Sequence, residues 1–177
     1  IMFLLATVTL FLIGRKKKKD AASSDVIKIG VIAPLTGDLA QYGTPAKDGF
    51  QLKVDEINAA GGINGKKIEL VIEDNKGDVN ESVSIFKKLK GQDKVDMIVG
   101  PIISSTSNAV APLAQQGKVV MITPTGTNID ITKGRDFVFR TTFTDPYQGT
   151  AAAKYAAKNG IKKVAILTNT ASDYSVG

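Results

Sequence analysis

Residues 26 to 57 read VIKIGVIAPLTGDLAQYGTPAKDGFQLKVDEI, and this stretch changes from a strand pattern to a helix pattern. Val26 to Ala33 is apolar and β-branched along most of its length, which is typical of a buried strand. Thr44 and Pro45 suit the N-cap and the first position of a helix. One apolar helical face follows, made of Ala46, Phe50, Val54 and Ile57. The stretch predicts a β-strand followed by an amphipathic helix.

The alternation of strand and helix continues along the chain. Further strands are predicted at 67–73, 95–99, 118–123, 137–140 and 163–168. Asp78 and Glu81 form a capping-box pattern at the start of a second helix, and two more helices are predicted at about 105–116 and 146–159. Pro112 predicts a kink or a split in the third helix. Strands that alternate with helices predict an α/β fold with a parallel sheet covered on both faces.

Charge and residue content remove several classes of function. The chain has 23 Lys and Arg and 17 Asp and Glu, a net charge of +6, but five of the basic residues are Arg15 and Lys16 to Lys19. The remaining lysines are scattered among acidic residues, which gives a nucleic-acid partner little support. The chain has no Cys and no His, which excludes the usual zinc sites, disulfides and His-based triads. No nucleotide-binding glycine motif or activated nucleophile is present, so we expect neither a cofactor, a metal nor an enzyme activity.

Residues 1–24 have the character of an export segment followed by a basic tether. Ile1 to Ile13 is apolar and shorter than the roughly 20 residues of a membrane-spanning helix, so it fits the core of a signal peptide better than a buried element. Leu12-Ile13-Gly14-Arg15 resembles a lipoprotein box in which Arg15 replaces the lipid-bearing Cys. We expect export to the periplasm or to the outer face of the cytoplasmic membrane.

The loops that follow the strands carry the candidate ligand-binding residues. Ligands of open parallel sheets bind beyond the carboxyl ends of the strands. Three such loops, at 34–43, 100–107 and 124–128, are rich in hydroxyls and glycine. Ser104 and Ser105 at a helix start suit a carboxylate, Gly126 allows close approach of the backbone, and Tyr42 can cover an apolar side chain. Each feature is also common as an ordinary cap or turn, so the hypothesis depends on their meeting at one sheet edge.

Five motifs in order along residues 27–149 resemble the leucine/isoleucine/valine-binding family of type I periplasmic binding proteins, the substrate-binding components of ABC transporters. They are Ile27-Lys28-Ile29-Gly30-Val31 with Pro34-Leu35-Thr36-Gly37; Ala40-Gln41-Tyr42-Gly43; Ile57-Asn58-Ala59-Ala60-Gly61-Gly62-Ile63-Asn64-Gly65; Asp96-Met97-Ile98-Val99-Gly100-Pro101; and Arg140 with Asp145, Gln148 and Gly149.

The resemblance implies a monomer of two α/β lobes that close on a ligand. It implies that Ser104 and Thr127 help to hold the α-carboxylate and ammonium of a free amino acid, with backbone groups of Thr125 beside them. It also implies that Tyr42 packs against the ligand and that Tyr174 reaches across the cleft from the second lobe. The implied function is capture of a branched-chain or other aliphatic amino acid and its delivery to an ABC permease.

The resemblance also divides the chain. We expect a signal-peptide-like segment and tether at 1–24, a first lobe at 25–143, and the hinge crossing with the start of a second lobe at 144–177. Because family members are about twice as long, we expect a fragment that exposes apolar surface and binds its ligand weakly. Two alternatives stay open, the sensing domain of a receptor on the same fold and an amide- or urea-binding member of the family.

Overall fold

Parallel strands form the central sheet of this protein. The computed structural model describes residues 26–177, so the predicted export segment and tether lie outside the described residues. The strands of the described part are β1 (Val26–Ala33), β2 (Lys67–Asp74), β3 (Met97–Val99), β4 (Val120–Thr123) and β5 (Val138–Arg140). They lie in the order β2-β1-β3-β4-β5, and each neighbouring pair is parallel. The predicted α/β class and parallel sheet are therefore confirmed.

Within residues 26–177, three α-helices connect the first four strands, and two more follow the last strand. They are α1 (Ala40–Ala59), α2 (Val79–Lys88), α3 (Ser104–Gly117), α4 (Asp145–Lys158) and α5 (Asp173–Val176). A π-helix at Leu89–Asp93 extends α2, and a short 3₁₀ helix lies at Ile129–Ile131. The Asp78 carboxylate accepts a hydrogen bond of 2.7 Å from the backbone N–H of Glu81, as expected of the predicted N-terminal cap of α2.

The core lies on both faces of the sheet. Ile32 of β1 belongs to the cluster that includes Phe86 and Leu89, whereas Val31 and Ala33 pack in a second cluster with Ile102. Successive side chains of a strand point to opposite faces, so β1 is buried on both sides. This explains why its sequence is a nearly continuous apolar run rather than an alternating one.

The first helix begins earlier than predicted from Thr44 and Pro45. The backbone N–H of Ala40 donates to the carbonyl of Gly37 over 3.1 Å, and that of Tyr42 donates to Leu39 over 3.0 Å, so a complete turn forms before Pro45. Pro45 therefore lies inside α1. The cost is small there because Pro45 removes only the bond to a carbonyl in the first turn.

The predicted split of the third helix at Pro112 is wrong. Helix α3 runs without a break from Ser104 to Gly117. The ring of Pro112 lies on the exposed side, while Val110, Ala111 and Ala114 on the opposite side are fully buried. Packing of this apolar face holds the turns on either side of Pro112 in one helix.

The strand predicted at 163–168 does not form. The segment has no regular secondary structure, and Val164, Ile166 and Leu167 are 69%, 86% and 100% exposed. A strand is stabilised by pairing with a neighbour, and no strand of the described residues pairs with this segment. The predicted strand is therefore wrong, because an apolar pattern forms a strand only where a neighbour pairs with it.

The loop after β1 is held by Asp74, the last residue of β2. Its Oδ1 accepts hydrogen bonds from the backbone N–H of Leu35 at 2.8 Å and of Lys76 at 2.9 Å, and its Oδ2 accepts one from the Thr36 hydroxyl at 2.5 Å. Burial disfavours the charged carboxylate, but these hydrogen bonds outweigh burial, so the pKa of Asp74 lies below its ordinary value of 3.8. The ionised form is thus the one that stabilises the loop.

The lowered pKa predicts an acid-sensitive contribution to stability. The contribution of Asp74 is complete above pH 3.8 and is lost as pH falls through the lower folded-state pKa. Asp74→Asn should reduce the free energy of unfolding at pH 7 by about 1 kcal/mol, because the site is partly exposed to solvent. The difference from the wild type should shrink below pH 4 in urea unfolding. Asp48→Asn on the exposed face of α1 is the control, and a constant difference for Asp74→Asn at all pH values would contradict this assignment.

Gly43 brings α1 into close contact with the same loop. A Cβ at Gly43 would overlap the carbonyl oxygen of Pro34, whereas a Cβ at Gly49, six residues further along the helix, would meet open space. We expect Gly43→Ala to destabilise the protein by about 1–3 kcal/mol. Gly49→Ala should stabilise it by about 0.5–1 kcal/mol, because alanine is the better helix former. Thermal unfolding of the two variants measures the contrast, and equal melting temperatures would rule out the close packing.

Candidate functional site

A cleft of about 490 Å³ opens at the carboxyl edge of the sheet. Its walls come from the loops after β1, β3 and β4, from the crossing after β5, and from the segment around α5. The lining residues are Leu39, Tyr42, Ile102, Ile103, Ser104, Thr125, Thr127, Thr142, Phe143, Gln148, Ser172 and Tyr174. The lining set contains hydroxyls, an amide, aliphatic groups and aromatic rings, and it contains no ionisable acid or base other than tyrosine.

Five of the predicted site residues line this cleft, namely Tyr42, Ser104, Thr125, Thr127 and Tyr174. Ser105 and Gly126 do not line it. The Ser105 hydroxyl accepts a hydrogen bond of 3.2 Å from the backbone N–H of Asp173. The N–H of Gly126 donates to the Thr123 hydroxyl over 3.0 Å. Both residues therefore support the walls of the cleft rather than form its surface.

The N-terminus of α3 faces the cleft without a side-chain cap. Ile103 stands at the N-cap position and supplies no side-chain acceptor, and Ser104 follows as the first helical residue. The hydroxyl of Thr106 donates to the carbonyl of Ile103 at 2.9 Å, and that of Ser107 donates to Pro101 at 2.8 Å. These two hydroxyl groups thus donate to carbonyl oxygens and do not cap the N–H groups of the first turn. The first-turn N–H groups and the positive end of the helix dipole favour an anion at this point.

Thr127 carries a buried hydroxyl with no partner. The residue is 4% exposed, and among the described residues its Oγ1 has no hydrogen bond. A buried hydroxyl without a partner costs about 1–3 kcal/mol, so its retention in a cleft wall indicates a group that joins it. Thr125 differs, because its hydroxyl already donates to the carbonyl of Ile102 at 2.6 Å. Thr125 can therefore offer a ligand only its backbone or a lone pair of that oxygen.

Arg140 holds the loop that carries Thr127. Its Nη1 donates to the carbonyl oxygens of Gly126 at 3.0 Å and Asn128 at 2.9 Å, and its Nη2 donates to the Thr132 hydroxyl at 2.8 Å. Burial lowers the pKa of Arg140, and the nearby charge of Asp145 opposes that effect. The sequence showed Arg140 only as part of a motif. Its structural role could not be predicted from the sequence, because the oxygens that accept its hydrogen bonds lie 8 to 14 residues away in the chain.

Aromatic side chains form the open part of the cleft. Tyr42, Phe143 and Tyr174 are 56%, 52% and 50% exposed, so each presents a large apolar surface to a ligand. The amide of Gln148 donates to the Tyr174 hydroxyl over 3.4 Å. Phe143 is not among the predicted site residues, because that prediction uses only the loops after the first, third and fourth strands. The same rule applied to the strand at 137–140 would have found it.

Asp173 anchors the segment that carries Tyr174. Its carboxylate accepts a hydrogen bond of 2.8 Å from the Asn108 side chain, and its carbonyl accepts one of 3.0 Å from the Asn128 side chain. These bonds join α5 to α3 and to the loop after β4. The position of Tyr174 beside α3 and the loop after β4 therefore depends on polar contacts rather than on a covering core.

Residues 26–177 contain neither a metal-ligand cluster nor a membrane-spanning helix. No group of three or more acidic side chains is placed to hold a metal ion in this part of the chain. Nor does any helix in the same range have both the length and the apolar character needed to cross a membrane.

The unpaired hydroxyl leads to a prediction for the unliganded protein. Thr127→Val replaces the hydroxyl by a methyl group of nearly the same shape, so it removes a buried polar group that lacks a partner. We expect the free energy of unfolding to rise by about 1 kcal/mol or to stay unchanged. Thr123→Val is the contrasting variant, since the Thr123 hydroxyl donates to the Pro101 carbonyl at 2.8 Å and accepts from Gly126. That variant should lose stability, and a loss of similar size for Thr127→Val would contradict the unpaired state.

Comparison with known proteins agrees with this arrangement. Residues 26–177 match the family described as periplasmic binding protein. The chain is 40% identical over 174 residues to the Leu/Ile/Val-binding protein BraC3 of Rhizobium johnstonii, covering 98% of this chain and 47% of that protein.

Two solved structures have the same fold. One is the substrate-binding protein LivJ of a branched-chain amino acid transporter from Streptococcus pneumoniae in complex with isoleucine, with a TM-score of 0.81, 43% identity, and coverage of 85% of this chain and 44% of that one. The other is a solute-binding protein of an ABC transporter from Rhodopseudomonas palustris in complex with 3,4-dihydroxybenzoic acid, with a TM-score of 0.78, 33% identity, and coverage of 85% and 41%. The chain thus spans less than half the length of these proteins. It belongs to the periplasmic binding protein family and has the type I fold of its Leu/Ile/Val-binding relatives.

Proposed function

We propose that this protein is an exported solute receptor that captures a small carboxylate ligand, foremost a free aliphatic amino acid, and delivers it to an ABC import permease. The observation that carries the proposal is the buried, unpartnered hydroxyl of Thr127 in the same cleft as the uncapped start of α3. Together they offer hydrogen bonds and a positive helix end without a charged side chain. A carboxylate is the group that this combination suits best.

The relatives support a carboxylate as the common element. Isoleucine and 3,4-dihydroxybenzoic acid, the ligands in the two similar structures, differ in size and side chain but share a carboxylate. In this protein Ser104 and Thr127 would receive that group. Leu39, Ile102 and Ile103 give the lining an apolar part against which an aliphatic side chain can pack.

An aromatic acid is the second candidate ligand. Among the described lining residues no Asp or Glu is present to pair with the ammonium of an amino acid. Tyr42, Phe143 and Tyr174 offer ring faces to a flat ligand, and the Rhodopseudomonas relative was solved with such an acid. This candidate changes the ligand class and keeps the carboxylate site and the transport role.

The chemistry of the lining supports transport rather than catalysis. The lining offers no His, Cys, Lys or carboxylate that could act as a general base or nucleophile. The apolar segment at 1–13 supports export, and the periplasmic binding protein family supports a permease as the partner. The hinge crossing and the start of the second lobe that would close on the ligand are proposed to lie at 144–177.

Thermal unfolding of the full-length gene product, without residues 1–24, tests the ligand class. The panel contains the twenty amino acids, 3,4-dihydroxybenzoate, acetamide and urea. A ligand at 100 times its dissociation constant adds about 2.7 kcal/mol to the free energy of unfolding, which is a clear shift of the melting temperature. A shift with leucine, isoleucine or valine supports the first proposal, and one with the aromatic acid alone supports the second. A shift with only acetamide or urea, or with nothing in the panel, would refute a carboxylate receptor.

The carboxylate site itself is tested by two substitutions. Ser104→Ala and Thr127→Val should each weaken binding of the ligand roughly 10- to 100-fold, because each removes a hydrogen bond to a charged group. Ser84→Ala is the matched control, since its hydroxyl donates to the Asn80 carbonyl on the exposed face of α2. Isothermal titration measures the three dissociation constants. Unchanged affinity in Thr127→Val would separate Thr127 from the ligand even if the protein binds amino acids.

A further inference from the structure

Lysines that look scattered in the sequence gather at one edge of the sheet. In a parallel sheet all strands begin at the same edge, here called the amino edge, opposite the ligand cleft. The segments that lead into β1 to β4 are residues 26–28, 60–67, 87–96 and 116–119, and we call them the basic edge. They contain eight lysines and two aspartates, a net charge of +6. The described residues together carry 18 basic and 15 acidic groups, so the rest has a net charge of −3.

Most of this positive charge is exposed and unneutralised. Lys67, Lys87, Lys90, Lys94 and Lys118 are all exposed, and none of them forms an ion pair with another described residue. Of the two aspartates, Asp93 pairs with Lys88 at 3.0 Å, and the Asp96 carboxylate accepts a hydrogen bond of 2.8 Å from the backbone N–H of Lys28. The acidic groups of the edge are therefore already engaged.

The shape of this edge is set by the ends of two helices. The π-helix after α2 and the last turn of α3 leave an open groove of about 510 Å³ between them. Phe86 and Leu113 supply its apolar floor, and Lys87 and Lys90 stand at its rim. An apolar groove bordered by cationic side chains is complementary to a surface on which negatively charged groups cover an apolar layer.

The path of the chain indicates which surface that is. Val26, where the described chain begins, lies on the basic edge. The run Arg15 to Lys19 precedes it by only a few residues, and seven residues of extended chain span at most about 25 Å. The apolar stretch Ile1 to Ile13 lies just before that run. The basic edge is thus tied to a segment whose composition suits a membrane.

We propose that the basic edge docks on anionic lipid headgroups and so orients the first lobe on the membrane. Each exposed lysine near such a surface adds to the attraction, which salt weakens because the charges are solvent-exposed. Since β1 spans eight residues, about 26 Å, the ligand cleft would lie one strand length away from the lipid. Docking does not depend on which ligand the cleft binds.

Binding to vesicles tests the charge requirement on the full-length protein. The probes are vesicles of phosphatidylcholine with 30% phosphatidylglycerol and vesicles of phosphatidylcholine alone. Two triple variants are compared, and each loses three charges and keeps the N-terminal segment. The first carries Lys87→Gln, Lys90→Gln and Lys118→Gln on the basic edge. The control carries Lys47→Gln, Lys53→Gln and Lys76→Gln outside it. The first should bind the anionic vesicles at least tenfold more weakly than the wild type, since each lysine contributes roughly fivefold. The control should keep at least half of the wild-type affinity. Equal affinities of the two variants would overturn the proposal.

Orientation is measured independently with single-cysteine variants, because the 177 residues contain no cysteine. Gln92→Cys places a dye on the basic edge, and Gln41→Cys places one at the carboxyl edge, with both glutamines exposed. A headgroup quencher in the anionic vesicles should quench the dye at position 92 at least twice as strongly as that at position 41, and 0.5 M salt should remove the difference. The lipid assignment would be overturned if the two dyes were quenched equally at low salt. It would also be overturned if the protein bound immobilised heparin, a lipid-free polyanion, but bound no vesicles.

Discussion

The structure depends on the position of β1 between two parallel neighbours. β1 pairs with β2 over eight residues and with β3 over three, and its last three residues are fully buried. Because side chains on both faces must leave water, both faces must be covered by helices, and each helix must return the chain to the amino edge. All loops that follow the strands then meet at the carboxyl edge. The ligand cleft is a consequence of this single constraint.

The walls of the cleft are held by polar groups that bind backbone rather than ligand. Asp74 holds the loop after β1, Arg140 holds the loop after β4, and Asp173 holds the segment with Tyr174. Such bonds join segments that are distant in sequence, so they fix the loops without filling the cleft with charge. Thr127 stands out because its hydroxyl is buried without a partner and lines the cleft, whereas the other two such atoms of the described residues, Asn108 Oδ1 and Asp145 Oδ2, belong to residues outside the lining set. A frame of loops held by such bonds, with an open hydroxyl at the cleft surface, is the arrangement expected of a preorganised ligand site.

Charged side chains are distributed unevenly between the two edges of the sheet. Among the described residues that line the cleft there is no Lys, Arg, Asp or Glu, whereas the basic edge has a net charge of +6. The division arises because the eight lysines lie in the segments that lead into β1 to β4, whereas the cleft is built from the loops at the opposite end of the strands. The proposed carboxylate site and the proposed lipid-docking surface therefore differ in charge and lie about one strand length apart.

Sequence alone determined the α/β class, the order of the first five strands and the helices between them, and the sheet edge where the cleft lies. Apolar runs and helical spacing are local features, and parallel strands leave little freedom in where their loops gather. Only the tertiary structure decided which residues of those loops face the cleft. Ser105 and Gly126 turn to Asp173 and Thr123, whereas Phe143 enters from a crossing that its pattern did not mark.

The remaining differences have the same cause. The segment 163–168 has a strand pattern but no partner among the described residues, and the uninterrupted α3 tolerates Pro112 because its buried face is packed. Pairing and packing join residues that are far apart in the chain, so their outcome is not contained in any local pattern. The gathering of lysines at one edge is a further example, since their spacing along the chain concealed it.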